Sequence, residues 1–236
     1  MNQTITISNT DVYKAIWLDN NSKRGAAADF LRTFLPAKKS KVSTVGVNKL
    51  AVVVGHNSKK PGAYASGLIN KSEFILNSAV AKRMVELADS DPSIEIKVFY
   101  RKPLNSYSAQ IKDVYKRVNA WLESSSHDTI LAYELHFNWL AGAGRIEMLH
   151  YPDSSYGIKA SNILLDKTKQ VISGSTKLVP RGASDRGGLS LASCKAPCVM
   201  TETFDCSNDT HLAEVAEIGS EGIAQINFSA AKEYFN

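Results

Sequence analysis

The sequence predicts an α/β fold, with a mostly parallel central sheet and helices on both of its faces. From residue 49 onward, apolar runs rich in β-branched residues alternate with segments of helical periodicity. Strands that alternate with helices are typical of parallel sheets, because each parallel connection needs a crossover. The 236 residues are 44% hydrophobic and 22% charged, which is the composition of a globular protein with a sizeable core.

Five apolar runs are the predicted strands, at residues 50–54, 94–100, 129–135, 145–149 and 198–203. Helices are predicted over 71–88, 107–123, 155–172 and 209–234. The first of these helices carries Leu76, Val80, Met84 and Leu87 on one stripe, as expected for a helix that covers a sheet. No apolar run in the sequence approaches the ~20 residues that cross a bilayer.

Residues 1–44 are predicted to form a basic helical extension and linker, followed by a main domain at 45–236. Two short amphipathic helices, at 11–18 and 26–35, precede a polar linker at 37–44. Residues 1–49 hold eight Lys or Arg against three Asp, whereas the two signs balance in the rest of the chain. This asymmetry leaves two roles open: binding of an anionic partner, such as nucleic acid, membrane or wall polymer, and packing on the main domain.

The first residues and the cysteines indicate the cellular compartment of the protein. The sequence starts without the charged and apolar regions of a secretion signal, so we expect a protein that is made and kept in a cytoplasm. Cys194, Cys198 and Cys206 are an odd number in a long chain, so we expect reduced thiols.

Side chains that can bind metals or transfer protons lie at the ends of three predicted strands. His56 comes after the first strand, His136 after the third and Glu202 in the last, while Glu73 opens the first long helix. Ligands of open α/β sheets bind beyond the carboxyl ends of the strands, so these four residues are expected to share one site. Two histidines and one carboxylate are the usual ligands of a catalytic zinc, and a second carboxylate can serve as general base.

Each of these residues also has a structural interpretation. A histidine at a strand end is commonly a hydrogen-bonded structural residue. The segment Asn70-Lys71-Ser72-Glu73 fits a capping box, in which Glu73 would only serve its own helix terminus. Glu202 could be an ordinary residue at the edge of a strand. The location of all four at one end of a sheet favours the metal site.

The motifs that contain these residues resemble the zinc-dependent N-acetylmuramoyl-L-alanine amidases of the amidase_3 type, over residues ~49–235. That family has, in order, Gly-His, Pro-Gly-Ala, a helix-opening Glu, Ser-x-His-x-Asn, Arg-Gly and Val-Glu-x-Gly-Phe-x-Ser-Asn. The matching segments here are Gly55-His56, Pro61-Gly62-Ala63, Glu73, residues 134–138, Arg186-Gly187 and residues 197–208. Glu134 replaces the small hydroxyl residue of the family, and Thr203 stands where glycine is common.

The resemblance implies that His56, Glu73 and His136 bind Zn²⁺ and that Glu202 is the catalytic glutamate. It implies hydrolysis of the amide bond between N-acetylmuramic acid and L-alanine in peptidoglycan. Asn138, from the second histidine motif, and Arg186, whose guanidinium could hold a substrate carboxylate, are candidate substrate-binding residues. For Arg186, a flexible surface loop is the simpler interpretation.

The same resemblance, together with the missing secretion signal, favours a phage endolysin that stays in the host cytoplasm until lysis. We expect a monomer whose partner is bacterial peptidoglycan, and we expect no nucleic-acid partner. Two alternatives stay open: a zinc hydrolase of the same fold acting on a different amide bond, and a wall-binding module without activity.

Overall fold

The computed structural model describes residues 47–123 and 125–236. The extension and linker predicted for residues 1–44 therefore lie outside the described residues. Eight strands are present: β1 Asn48–Val54, β2 Tyr64–Ala65, β3 Lys71–Ser72, β4 Ile94–Tyr100, β5 Ile130–Asn138, β6 Arg145–His150, β7 Ser175–Pro180 and β8 Cys198–Asp205. Five helices accompany them: α1 Glu73–Ala88, α2 Tyr107–Leu122, α3 Ser155–Thr168, α4 Gly188–Ser193 and α5 Asp209–Phe235.

Six of the strands form one sheet in the order β4-β1-β5-β8-β6-β7. The first four strands of that order run parallel to one another. The strand β6 runs antiparallel to β8 and parallel to β7. The prediction of a mostly parallel sheet is thus confirmed, with a reversal of direction at β6.

The sheet separates two apolar cores, so helices cover both of its faces as predicted. Along β1, Leu50, Val52 and Val54 pack in the core under α1, α3 and α5. Ala51 and Val53 point the other way, into the core under α2 and α4. All five side chains are fully buried, which explains why this strand is a continuous apolar run.

Two predicted strands continue further than the sequence suggested. β5 ends at Asn138, so His136 lies within the strand instead of following it, and β8 ends at Asp205, two residues beyond the predicted end at 203. Both strands have neighbours on either side, and ladder hydrogen bonds let a central strand continue through polar residues.

The sequence did not reveal β7, α4 or the small β2–β3 hairpin. In β7 only Val179 is buried, because the strand lies at the edge of the sheet, so the apolar run that marks the other strands is missing. α4 has six residues, which is too short for a visible periodicity.

Helix ends follow local chemistry. The Ser72 side chain caps α1 by accepting a hydrogen bond from the Ile75 N–H. α5 is interrupted at Gly219, whose φ of +61° is a conformation that favours glycine. Among the described helices, none is long and apolar enough to cross a membrane.

Candidate functional site

The turn after β1 presents His56 at the carboxyl end of the sheet. Its backbone has a φ of +65°, an uncommon value for a residue other than glycine. The next residue holds the turn in place: the Asn57 side-chain amide donates to Gln110, and its oxygen accepts from the N–H groups of Lys59 and Lys60. Strained backbone of this kind persists only where its surroundings enforce it, and it is concentrated at functional sites.

Two glycines of this region leave room for the site. A side chain at Gly55 would place its Cβ 2.4 Å from His136 Cε1 and 2.5 Å from the Leu135 carbonyl oxygen. Gly62 has a φ of +81°, and a Cβ there would lie 2.6 Å from Glu73 Oε2. The glycines of the Gly-His and Pro-Gly-Ala segments are therefore required by the close packing of the site residues.

Glu73, the first residue of α1, is 3% exposed and fully partnered. Its Oε1 lies 2.7 Å from His136 Nδ1 and accepts from the Phe137 N–H at 3.2 Å. Its Oε2 lies 3.2 Å from His56 Nε2 and accepts from the Ala63 N–H. Burial alone would raise the pKa of this carboxyl, but the hydrogen bonds of the two histidines outweigh it and lower the pKa to about 2.

The predicted ligand set is brought together. One ligand atom each from His56, Glu73 and His136 lies within 4.8 Å of the others, and the two imidazole rings are 5.0 Å apart. The capping-box interpretation of Glu73 is wrong, because Ser72 caps the helix and the Glu73 carboxylate bonds to other segments. Two imidazoles and a carboxylate that is ionised at neutral pH suit a divalent metal such as zinc and leave a coordination position open.

Glu202 lies beside this set. In the β-ladders it is paired with His136 of β5 on one side and with Glu147 of β6 on the other. Its Oε2 is buried and has no hydrogen-bond partner among residues 47–123 and 125–236. Burial raises the pKa of Glu202 to about 8, and the negative charges of Glu73 and Glu147 act in the same direction, against His136 and Arg186.

A cleft of about 610 Å³ contains the ligand set, Glu202 and both candidate substrate-binding residues. Asn138 is 8% exposed, and its side-chain amide donates to Glu147 Oε2 at 3.0 Å. Arg186 is exposed on the loop before α4. Both predicted residues thus line the cleft, Asn138 within a buried hydrogen bond and Arg186 at the solvent side.

Sequence reasoning missed several residues of the same cleft. Arg101 directly follows β4 and is 4% exposed, so the strand-end criterion that selected the histidines would have found it. Glu147 lies in the middle of the apolar strand β6, where a buried carboxylate was the available signal. Lys177 and Arg181 come from β7 and its end, and no signal marked that strand.

The cleft also contains several basic side chains. Lys177, Arg181 and Arg186 line it and make no ion pair with any other residue that the structure describes. Arg145, by contrast, donates to Glu147 at 2.8 Å and is neutralised there. The cleft therefore contains both a His-Glu-His set that could hold a metal ion and three cations that make no ion pair with the other described residues.

Comparison with solved structures identifies the fold. The catalytic domain of the CD27L endolysin, which targets Clostridia difficile, has a TM-score of 0.62 and 22% identity, over 79% of this chain and 97% of that one. The catalytic domain of CwlV, an N-acetylmuramoyl-L-alanine amidase from Bacillus (Paenibacillus) polymyxa var. colistinus, has a TM-score of 0.61 and 17% identity, over 80% and 98%. Ami1 from Mycobacterium smegmatis, an N-acetylmuramyl-L-alanine amidase, has a TM-score of 0.58 and 13% identity, over 80% and 97%.

No protein-family model matches the sequence, and no curated protein matches it. The domain therefore has the fold of these amidase catalytic domains, at 13–22% sequence identity to the three structures.

Proposed function

We propose that the protein is a zinc-dependent N-acetylmuramoyl-L-alanine amidase that hydrolyses bacterial peptidoglycan. The observation that carries this proposal is one cleft of an amidase fold that holds both a His-Glu-His set and Glu202, whose Oε2 is buried without a hydrogen-bond partner among the described residues. His56, Glu73 and His136 would hold the ion. When bound, zinc would polarise the scissile carbonyl and lower the pKa of water to about 7.

Glu202 supplies the proton transfer. Its Oε2 has no donor among the described residues, so this oxygen is available to a water molecule or to the substrate. A carboxylate with a raised pKa both accepts a proton from attacking water and returns it to the leaving amine near neutral pH. Glu202 is therefore the proposed general base and then general acid of the hydrolysis.

The cations of the cleft determine which amides bind. A peptidoglycan stem peptide carries free carboxylates close to its L-alanine, and an arginine binds a carboxylate in two parallel hydrogen bonds. Arg186 is the proposed residue for this contact, and Lys177 and Arg181 line the same cleft. Asn138 contributes indirectly, since its amide orients Glu147 next to Glu202.

The biological setting is proposed from the likeness to an endolysin catalytic domain. We infer that the enzyme acts on the cell wall during phage lysis, as a monomer. Residues 1–44 would add attraction to anionic wall polymer, because they carry nearly all of the excess positive charge of the chain. A truncation that starts at Ser43 should bind purified wall more weakly at low salt and equally well at high salt, and equal binding at both salt concentrations would disprove this role.

The decisive experiment is digestion of purified peptidoglycan by the zinc-loaded protein, followed by mass spectrometry. We expect new L-alanine amino termini and intact N-acetylmuramic acid, with no such products from Glu202→Gln. A parallel digestion of isolated stem peptides identifies a hydrolase of a different amide bond. Binding to the wall with no soluble product would show a module without activity.

A further inference from the structure

We propose that Glu134, held by Arg101 and Tyr115, is a positioning residue that fixes the imidazole of His136 with Nδ1 toward the metal. This inference rests on the metal site of the proposed function. It concerns a residue that departs from the amidase pattern, since the family has a small hydroxyl residue at this position.

The two ring nitrogens of His136 face different carboxylates. Nδ1 lies 2.7 Å from Glu73 Oε1, and the same carboxylate reaches His56 Nε2 through its other oxygen. Nε2 lies 3.1 Å from Glu134 Oε1, on the opposite edge of the ring. Nδ1 therefore faces the place where the three proposed ligand residues meet, and Nε2 faces the Glu134 carboxylate.

Glu134 is a fully buried anion with matched partners. It is 0% exposed, and the side chain of Arg101, which is 2% exposed, forms an ion pair with its Oε1. The Tyr115 hydroxyl donates to Oε2 at 2.6 Å. A buried carboxylate needs such compensation, and these two donors, which come from the end of β4 and from α2, fix its position.

The groups around His136 Nε2 identify the partner of its hydrogen. Arg101 Nη2 is 3.4 Å from Nε2, but a guanidinium only donates, so it cannot accept a hydrogen from that nitrogen. The Glu134 carboxylate can accept it, and its Oε1 lies 3.1 Å from Nε2. When the lone pair of Nδ1 binds the metal, the proton of the neutral ring is on Nε2, and Glu134 is the group that accepts its hydrogen bond.

The loss of metal affinity on removal of such a contact is known in order of magnitude. Metal-ligating histidines commonly donate their other N–H to a carboxylate, and loss of that partner typically weakens metal binding or activity 10–100-fold. Glu134 occupies this position in the present protein. Two buried donors keep it in place, which accounts for a charged residue in the central strand β5.

The test is a zinc-binding titration of the full chain against a chromophoric chelator. The variant is Arg101→Met with Glu134→Leu, which removes both charges of the buried pair and leaves the net charge unchanged. Replacing a buried ion pair by apolar residues is often neutral for stability, so we expect this variant to fold. Zinc affinity should fall ~10–100-fold, and the visible spectrum of the cobalt-loaded protein should change.

A matched control removes a buried hydrogen bond elsewhere. The Tyr234 hydroxyl donates to the His127 carbonyl, near the amino end of β5, so Tyr234→Phe should lower stability and leave zinc affinity unchanged. A folded double variant with the zinc affinity of the unaltered protein would overturn the role of Glu134.

A second measurement does not depend on a variant. Nitrogen NMR of the zinc-loaded protein should show a proton on His136 Nε2 and metal coordination at Nδ1, and the reverse assignment would overturn the proposal. Failure of the unaltered protein to bind zinc would overturn both this inference and the proposed function. Zinc binding without hydrolysis would overturn the proposed function alone.

Discussion

Two glutamates of the cleft are in opposite environments. Glu73 accepts from two backbone N–H groups and contacts both histidines, and its pKa is lowered to about 2. Glu202 is paired with His136 in the ladder, yet its Oε2 has no partner in the described part of the chain, and its pKa is raised to about 8. The same residue type is therefore kept charged on one side of the cleft and driven toward neutrality on the other.

The difference teaches how to assign roles to the two carboxylates. A metal ligand must be ionised and held still, and the four contacts of Glu73 suit it for this proposed role. A group that transfers protons must change its charge near the working pH, and the burial of Glu202 makes that possible. Identical substitutions at the two positions should consequently have different effects.

The largest effect is expected for Glu73→Gln. The two backbone hydrogen bonds go to different carboxylate oxygens, so the single amide oxygen of Gln accepts only one of them and its NH₂ group faces the other N–H donor. Some stability should be lost, circular dichroism checks that the fold persists, and the anionic ligand is removed. We expect metal content to fall from about one zinc to near none and hydrolysis to drop by ~10³-fold or more, since the metal supplies several kcal/mol. His56→Ala with His136→Ala is the reference for a destroyed site. Full zinc occupancy in that double variant would show that the metal is bound elsewhere.

Glu202→Gln should separate metal binding from catalysis. Zinc content should match that of the unaltered protein, because Glu202 is not in the ligand set. Turnover should fall at least ~10²-fold, the usual contribution of a general base. A variant that retains zinc and hydrolyses peptidoglycan at a near-normal rate would assign the proton transfer to another group.

The pH dependence of folding stability distinguishes Glu73 from Glu202 without any substrate. Glu73 binds its proton less tightly in the folded state than the ordinary pKa of 4.5 implies, so its stabilisation is present above that pH and lost as the pH falls toward 2. Glu202 behaves in the opposite way. The folded state holds its proton up to about pH 8, so stability decreases as the pH rises from 4.5 toward 8.

We therefore expect Glu202→Gln to stabilise the metal-free protein at pH 8 and to have little effect at pH 5. An effect of even ~1 kcal/mol would raise Tm by ~2–4 °C in a domain of this size. Differential scanning calorimetry at the two pH values, with a chelator present, measures it. Equal Tm differences at both pH values would mean that Glu202 does not titrate in this range.

The two glutamates and the two histidines beside them also show what the sequence could predict. His56 and Glu73 follow local signals, the end of an apolar run and the start of a helix, and the structure places them as those signals imply. His136 and Glu202 were selected as strand ends, and although the strands continue past them, they remain at the carboxyl side of the sheet. Local signals thus sufficed to select the three residues that the structure brings together and the glutamate beside them.

The remainder of the cleft depends on non-local topology. Glu147 reaches Glu202 only because β6 inserts antiparallel beside β8, and no local pattern specifies that order of strands. Lys177 belongs to an edge strand with a single buried side chain, so periodicity could not mark it. The partners of Glu134 come from β4 and α2, which tertiary packing alone brings together.

The smallest expected effect concerns the outer part of the cleft. Arg186 is exposed on the Glu202 side, and a solvated ion pair with substrate contributes only ~1 kcal/mol, so Arg186→Ala should raise KM by ~5-fold with kcat changed less. The increase should shrink at high salt, since the charges are screened, and it should vanish for peptidoglycan whose stem carboxylates are amidated. Arg83→Ala on the outer surface of α1, where the arginine pairs with Glu86 and Glu221, is the control and should leave KM unchanged.

The positive charge of Arg186 also lowers the pKa of Glu202, so its removal should move the acidic limb of the pH–rate profile to higher pH. An unchanged KM on amidated and free substrates alike would remove Arg186 from substrate binding, while a shifted limb would still place its charge beside Glu202.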